Sequence, residues 1–134
     1  MDKLRICFGS NDGEFVADTH MGDTDSFYVY DVFAKEERKF IEARRNSVKE
    51  LDHAKTGKMK RIIEIVNDGD IFAARQKSPN FINIAKNTKY QPVVVKADKI
   101  SDALSIIEKS YEELMELVLR RKNGEVFNII PELK

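Results

Sequence analysis

Apolar and polar residues change their rhythm once along this chain. In the first third they alternate or run in short blocks, which is strand-like. Leu4-Arg5-Ile6-Cys7-Phe8 reads as a first strand, Glu14-Phe15-Val16-Ala17 as a short second one, and Phe27-Tyr28-Val29-Tyr30-Asp31-Val32-Phe33 as a third, rich in aromatic and β-branched residues. A fourth covers about Arg38 to Arg45, with Phe40 and Ala43 facing in. Gly9-Ser10-Asn11-Asp12-Gly13 and the polar run from Asp18 to Ser26 supply turn chemistry between them. From Thr56 the period lengthens. Met59, Ile62, Ile63 and Val66 recur at helical spacing behind Thr56 as N-cap, and Asn67-Asp68-Gly69 closes the helix. Asp70–Ala74 then reads as a buried strand, Ser78-Pro79 as a helix start with Ser as cap and Pro at N1, and Gln91–Val95 as another buried strand. One long helix follows from Ser101 to Lys122, with Leu104, Ile107, Tyr111, Leu114 and Val118 on its stripe, and Val126–Ile130 is a strand-like tail.

The resulting order is β-β-β-β-α-β-α-β-α. Strands joined by helices run parallel with right-handed crossovers, and the early strands join by tight turns. The expected fold class is therefore α/β, a mixed sheet with helices packed on it. At 134 residues the chain suits one domain. Its core is about 4–108, and 109–134 forms a C-terminal extension.

Charge changes this picture only locally. The formal net charge is zero, so no bulk field draws the chain to nucleic acid or to anionic lipid. Ile6 to Ala34 has acidic residues and no Lys or Arg, whereas Lys35 to Arg61 holds ten Lys and Arg. Cys7 is the single cysteine, which excludes an intrachain disulfide and a four-thiolate metal site. That usage, with no membrane span and no signal segment, leads us to expect a cytoplasmic protein.

Ligands of such sheets bind beyond the carboxyl ends of the parallel strands. Tracing strand directions puts His20, His53, the Ser10-Asn11-Asp12 turn and the helix starts near Thr56 and Ser78 at that edge. Helix N-termini offer N–H groups and partial positive charge, and Lys55, Lys58, Arg75 and Lys77 add to it, so the expected ligand is an anion. Ser10, Asn11, Thr56 and Ser78 are candidate hydrogen-bonding groups. Gly57-Lys58 lacks the upstream glycine of a phosphate loop. A nuclease would need clustered carboxylates on two metals, and only Asp12 and Asp31 are candidates near the sheet.

The Asp12-Gly13 turn, the His20-Met21-Gly22 motif, the Phe27–Val32 strand, and His53 ahead of Thr56-Gly57-Lys58 resemble, over about residues 4 to 108, the dinitrogenase iron–molybdenum cofactor biosynthesis family. The resemblance implies a three-layer, ribonuclease H-like fold and a non-catalytic carrier or accessory protein for an iron–sulfur or iron–molybdenum cluster. It marks His20 and His53 as ligands and a cluster donor or acceptor protein as partner. Self-association through the long C-terminal helix is a further expectation. Two departures stand out: Met21 replaces the usual Phe, and Ala73-Ala74-Arg75-Gln76-Lys77-Ser78-Pro79 fills a loop usually rich in glycine. They give weight to an alternative, a protein-interaction or regulatory module that keeps the fold and has lost the cluster.

Overall fold

The computed structural model describes residues 2–35, 37–49 and 56–134, the side chain of Thr56 excepted. The strands are β1 (Lys3–Ser10), β2 (Ser26–Phe33), β3 (Lys39–Arg45), β4 (Ile71–Ala74), β5 (Gln91–Val95) and β6 (Glu132–Leu133). The helices are α1 (Thr56–Ile65), α2 (Pro79–Asn87), α3 (Ile100–Lys109) and α4 (Tyr111–Lys122), and a 3-10 turn covers Met21–Asp23. The strands form one six-stranded mixed sheet in the order β3-β2-β1-β4-β5-β6. β2 is antiparallel to both β1 and β3, and β1, β4, β5 and β6 run parallel.

Alternate residues of the central strands feed two separate cores. Leu4, Ile6, Phe8, Ile71, Val93 and Val95 pack with Leu104, Ile107, Leu114 and Val118 of α3 and α4. Cys7, Phe27, Val29 and Phe72 pack with Ile62 and Val66 of α1 and with Phe81 and Ile84 of α2. The architecture is thus three layers, helix–sheet–helix, as expected. Strands covered on both faces read as unbroken apolar runs, which explains the sequence of β4 and β5.

Four local expectations fail. Glu14–Ala17 is not a sheet strand. Apart from a single bridge of Phe15 to Lys99, its hydrogen bonds scatter: Val16 N donates to the Asp98 carbonyl (2.8 Å) and Ala17 N to that of Gly9 (3.1 Å). Its apolar pattern serves to bury Val16. On β3 a bulge at Ile41, between the pairs Val29–Glu42 and Tyr30–Phe40, reverses the facing. Ile41 turns to the α1/α2 core, while Phe40 is 51% exposed and Ala43 is exposed. The long helix is two, joined at Ser110, whose φ of −106° and ψ of 19° break the helix while the apolar stripe stays on the sheet. In the tail, Val126–Ile130 is not a strand, and the strand is Glu132–Leu133 beside Val94–Val95.

Candidate functional site

Because β1 and β3 run parallel to β4 and β5, their carboxyl ends share one edge with the start of β2. The turn after β1, the His20 segment, the exit of β3 and the starts of α1 and α2 form that rim, as the traced directions predict.

Ser10 lies beneath the rim and is fully buried. Its hydroxyl donates to the Phe15 carbonyl (2.6 Å) and accepts from Gly13 N (3.0 Å), so it shapes the turn and is already committed. Asp12 Oδ1 accepts from Glu14 N and Phe15 N, both at 2.9 Å. The Phe15 and then the Glu14 amide hold its carboxyl below the usual range. Gly13 has φ +79° with the Tyr28 ring against it: a Cβ there would come 2.7 Å from Tyr28 Cε2. Asn11 Oδ1 accepts from Asp25 N (2.9 Å), joining the two halves of the loop. Asp31 sits at the other end of the sheet, opposite Arg5 on β1. It bonds Arg5 and Lys3, so it cannot join Asp12 in a two-metal nuclease centre.

His20 precedes the 3-10 turn in extended conformation and is exposed. The turn is held firmly. Thr24 Oγ1 donates to the Met21 carbonyl (2.9 Å), and Asn46 Nδ2 donates to the carbonyls of Gly22 and Thr24, each at 2.9 Å. Asn46 is buried at the exit of β3 and is a site-building residue the sequence reading misses; a lone Asn after a strand carries no signal of its distant acceptors. His20 lines two adjoining depressions. One is an apolar slot with Met59, Ile63, Phe81 and Ile84. Its free volume of about 20 Å³ suits roughly one water. The other is a groove with Gln76, Lys77 and Ser78. Ser78 caps α2 as expected, its Oγ accepting from Phe81 N (3.1 Å).

The four expected rim cations are not equivalent. Lys77 is exposed on the rim. Arg75 pairs with Asp98 (2.8 Å) and lines a different cleft, of about 370 Å³, with Asn11, Asp12 and Asp18. Gln76 Nε2 donates to the Asp18 carbonyl (2.7 Å) and bridges the two loops. Lys58 is buried, its Nζ donating to Asp23 Oδ1 (3.1 Å) and the Lys49 carbonyl (3.2 Å). His53 and Lys55 lie outside the described residues. Thr56 is the first residue of α1 rather than its cap. His20, Lys77 and Ser78 are therefore brought together, Asn11 and Arg75 sit in the neighbouring cleft, and Ser10 and Lys58 act from below.

Among the described residues no three His, Cys, Asp or Glu converge as a metal centre. Burial raises the Cys7 thiol to about 12 and removes it from the rim. What the rim does offer is imidazole, ammonium and the start of α2. That set suits an anion by charge, and the slot is too small to enclose a cluster.

The family model for dinitrogenase iron–molybdenum cofactor proteins matches residues 2–110. The chain belongs to this family. Its membership associates it with the biosynthesis or handling of the iron–molybdenum cofactor, and members are typically accessory proteins. No curated protein matches the chain. The family match ends at Ser110, so α4 and the tail lie beyond it. Among the described residues no helix is long and apolar enough to cross a membrane.

Proposed function

We propose that this family member is a non-catalytic carrier or accessory protein that holds an anionic iron–sulfur or iron–molybdenum-type cluster as cargo on the rim. The observation that carries the reading is the placement of His20: an exposed imidazole on a turn fixed by Asn46 and Thr24, beside Lys77 and the capped start of α2. His20 ligates, Lys77 and α2 offset charge, the family pattern supplies His53 as the second ligand, and Lys55 adds positive charge. Anionic cargo gains from both the cation and the helix start. A cytoplasmic donor or acceptor protein completes the role.

Anaerobic reconstitution with iron, sulfide and molybdate tests this. The wild type should retain metal and a visible charge-transfer band, and His20→Ala/His53→Ala should lose both. Equal uptake by the two proteins overturns the ligand assignment.

A second reading, an interaction module without cargo, is favoured by one feature: Leu119, Val126 and Ile129 expose 40%, 60% and 45% of their surface on the segment beyond the family match. Metal-free chain that self-associates, and loses this on Leu119→Lys/Ile129→Lys, is its expected signature.

A further inference from the structure

Lys58 stands where the sequence suggests a cation facing an anionic ligand at the rim, yet only 3% of its side chain is exposed. Burying an ammonium is costly unless its donors are matched. Here they are matched by two different segments. Asp23, whose Oδ1 lies 3.1 Å from Nζ, ends the 3-10 turn that follows His20. Lys49, whose carbonyl lies 3.2 Å away, is at the exit of β3. Lys58 itself is in the first turn of α1. One side chain thus joins three of the segments that make the rim.

Packing along the same line is close. A Cβ on Gly22 would come 2.8 Å from Ile62 Cδ1 and 3.8 Å from Lys58 Cε, so the turn and α1 touch directly. Asn46 grips the turn from the β3 side. An apolar residue of similar length would fill the space of Lys58 but leave the Asp23 carboxylate and the Lys49 carbonyl without this partner. The pair, with Lys58 buried and Asp23 one-third exposed, adds little net stability.

We infer that Lys58 is a positioning residue: through Asp23 it locks the His20 turn against α1 and so fixes how the imidazole meets its ligand. This rests on the reading of His20 as the ligand-binding residue. It also reassigns Lys58, which acts on the turn and not on the charge of the cargo.

The test uses the full chain as wild type, Lys58→Met, Lys58→Arg and Ile62→Val, with two readouts. The first is amide hydrogen exchange of Asp23 and Thr24, whose N–H groups donate to the carbonyls of His20 and Met21. The second is metal retained after the iron, sulfide and molybdate reconstitution. Lys58→Met should speed exchange at these two amides at least tenfold and reduce retained metal severalfold. Lys58→Arg should restore most of both. Ile62→Val, which trims packing at the same contact, should lower the thermal midpoint without reducing retained metal. Exchange and retention at wild-type levels in Lys58→Met overturn the inference, as does a loss of metal equal in Ile62→Val. If His20→Ala retains as much metal as wild type, the ligand reading fails; exchange then decides alone, with a change confined to residues 20–24 supporting the lock and no change overturning it. Should Lys58→Met not fold, Asp23→Asn removes the same charge pairing and is held to the same outcomes.

Discussion

Arg121 shows how far a single residue's environment departs from its type. It is 2% exposed and meets no carboxylate among the described residues. Its guanidinium donates to Gln91 Oε1 (2.7 Å) and to the carbonyls of Ala85 (2.8 Å), Thr88 (3.1 Å) and Phe127 (3.1 Å), with the Phe127 ring stacked 4.1 Å away. Burial, with nearby Arg120, lowers its pKa to about 10, which still leaves it charged at neutral pH. Gln91 in turn donates to the Ile129 carbonyl (2.9 Å). The pair therefore fastens the tail to α2 and β5, using the planar fork that distinguishes Arg from Lys. Arg121→Ala should cost about 2–4 kcal/mol, because several buried acceptors lose their donor. Arg121→Lys should recover little, since one ammonium cannot span the same acceptors. Urea titration checks the cost. Exchange at the Val94 and Lys96 amides, which donate to Pro131 and Leu133, checks that the loss is felt in the tail.

At the scale of elements, what was legible depended on whether a pattern is local. The start of α2 was readable: Ser78 caps it and Pro79 begins it. Each of those choices is made by neighbours in sequence. Ser78→Ala should therefore behave as an ordinary cap deletion. We expect a loss of about 1 kcal/mol, with faster exchange at Phe81 N and little change elsewhere, measured by thermal unfolding and hydrogen exchange. Glu14–Ala17 misled because its alternation is real but its partners, Asp98 and Gly9, are fixed by tertiary placement. β3 misled because a bulge shifts facing by one residue without leaving any mark in composition. The same divide runs through the site. The shared rim followed from strand directions alone. That Lys58 turns inward to Asp23, and that Arg75 is taken by Asp98, depends on residues far away in sequence and could not be read from spacing.

Across the whole molecule, charge holds the edge opposite the rim and ties it to Arg44, near the rim end of β3. Arg5 donates to Asp31 through Nε (2.8 Å) and Nη2 (3.0 Å) and to Asp68 through Nη1 (2.7 Å), while Arg44 donates to Asp68 at 2.6 and 2.9 Å. The chain of contacts runs from β2 through β1 to the turn after α1 and on to β3, so it braces the antiparallel side of the sheet. Hydrogen bonds from Arg44, against the opposing effect of burial, hold the Asp68 carboxyl well below its usual range. Burial raises Asp31, but Arg5 and then Lys3 outweigh it and the net shift is down. A carboxylate with a depressed folded pKa stabilises the fold above its unfolded value, about 3.9, and that stability is lost as pH falls through the folded one. The urea midpoint should therefore stay nearly level from pH 7 to about 5 and drop steeply below about pH 4. Asp68→Asn should lower the neutral midpoint and flatten the acid limb, because one titrating group is gone. The two carboxylates should separate with salt. Asp68 has 39% of its side chain exposed and Asp31 only 3%, so raising ionic strength should weaken the contribution of Asp68 while leaving that of Asp31 largely intact. Equal salt sensitivity of Asp68→Asn and Asp31→Asn would show that this edge is held by the general field and not by the particular contacts that join β2, β1, the turn after α1 and β3.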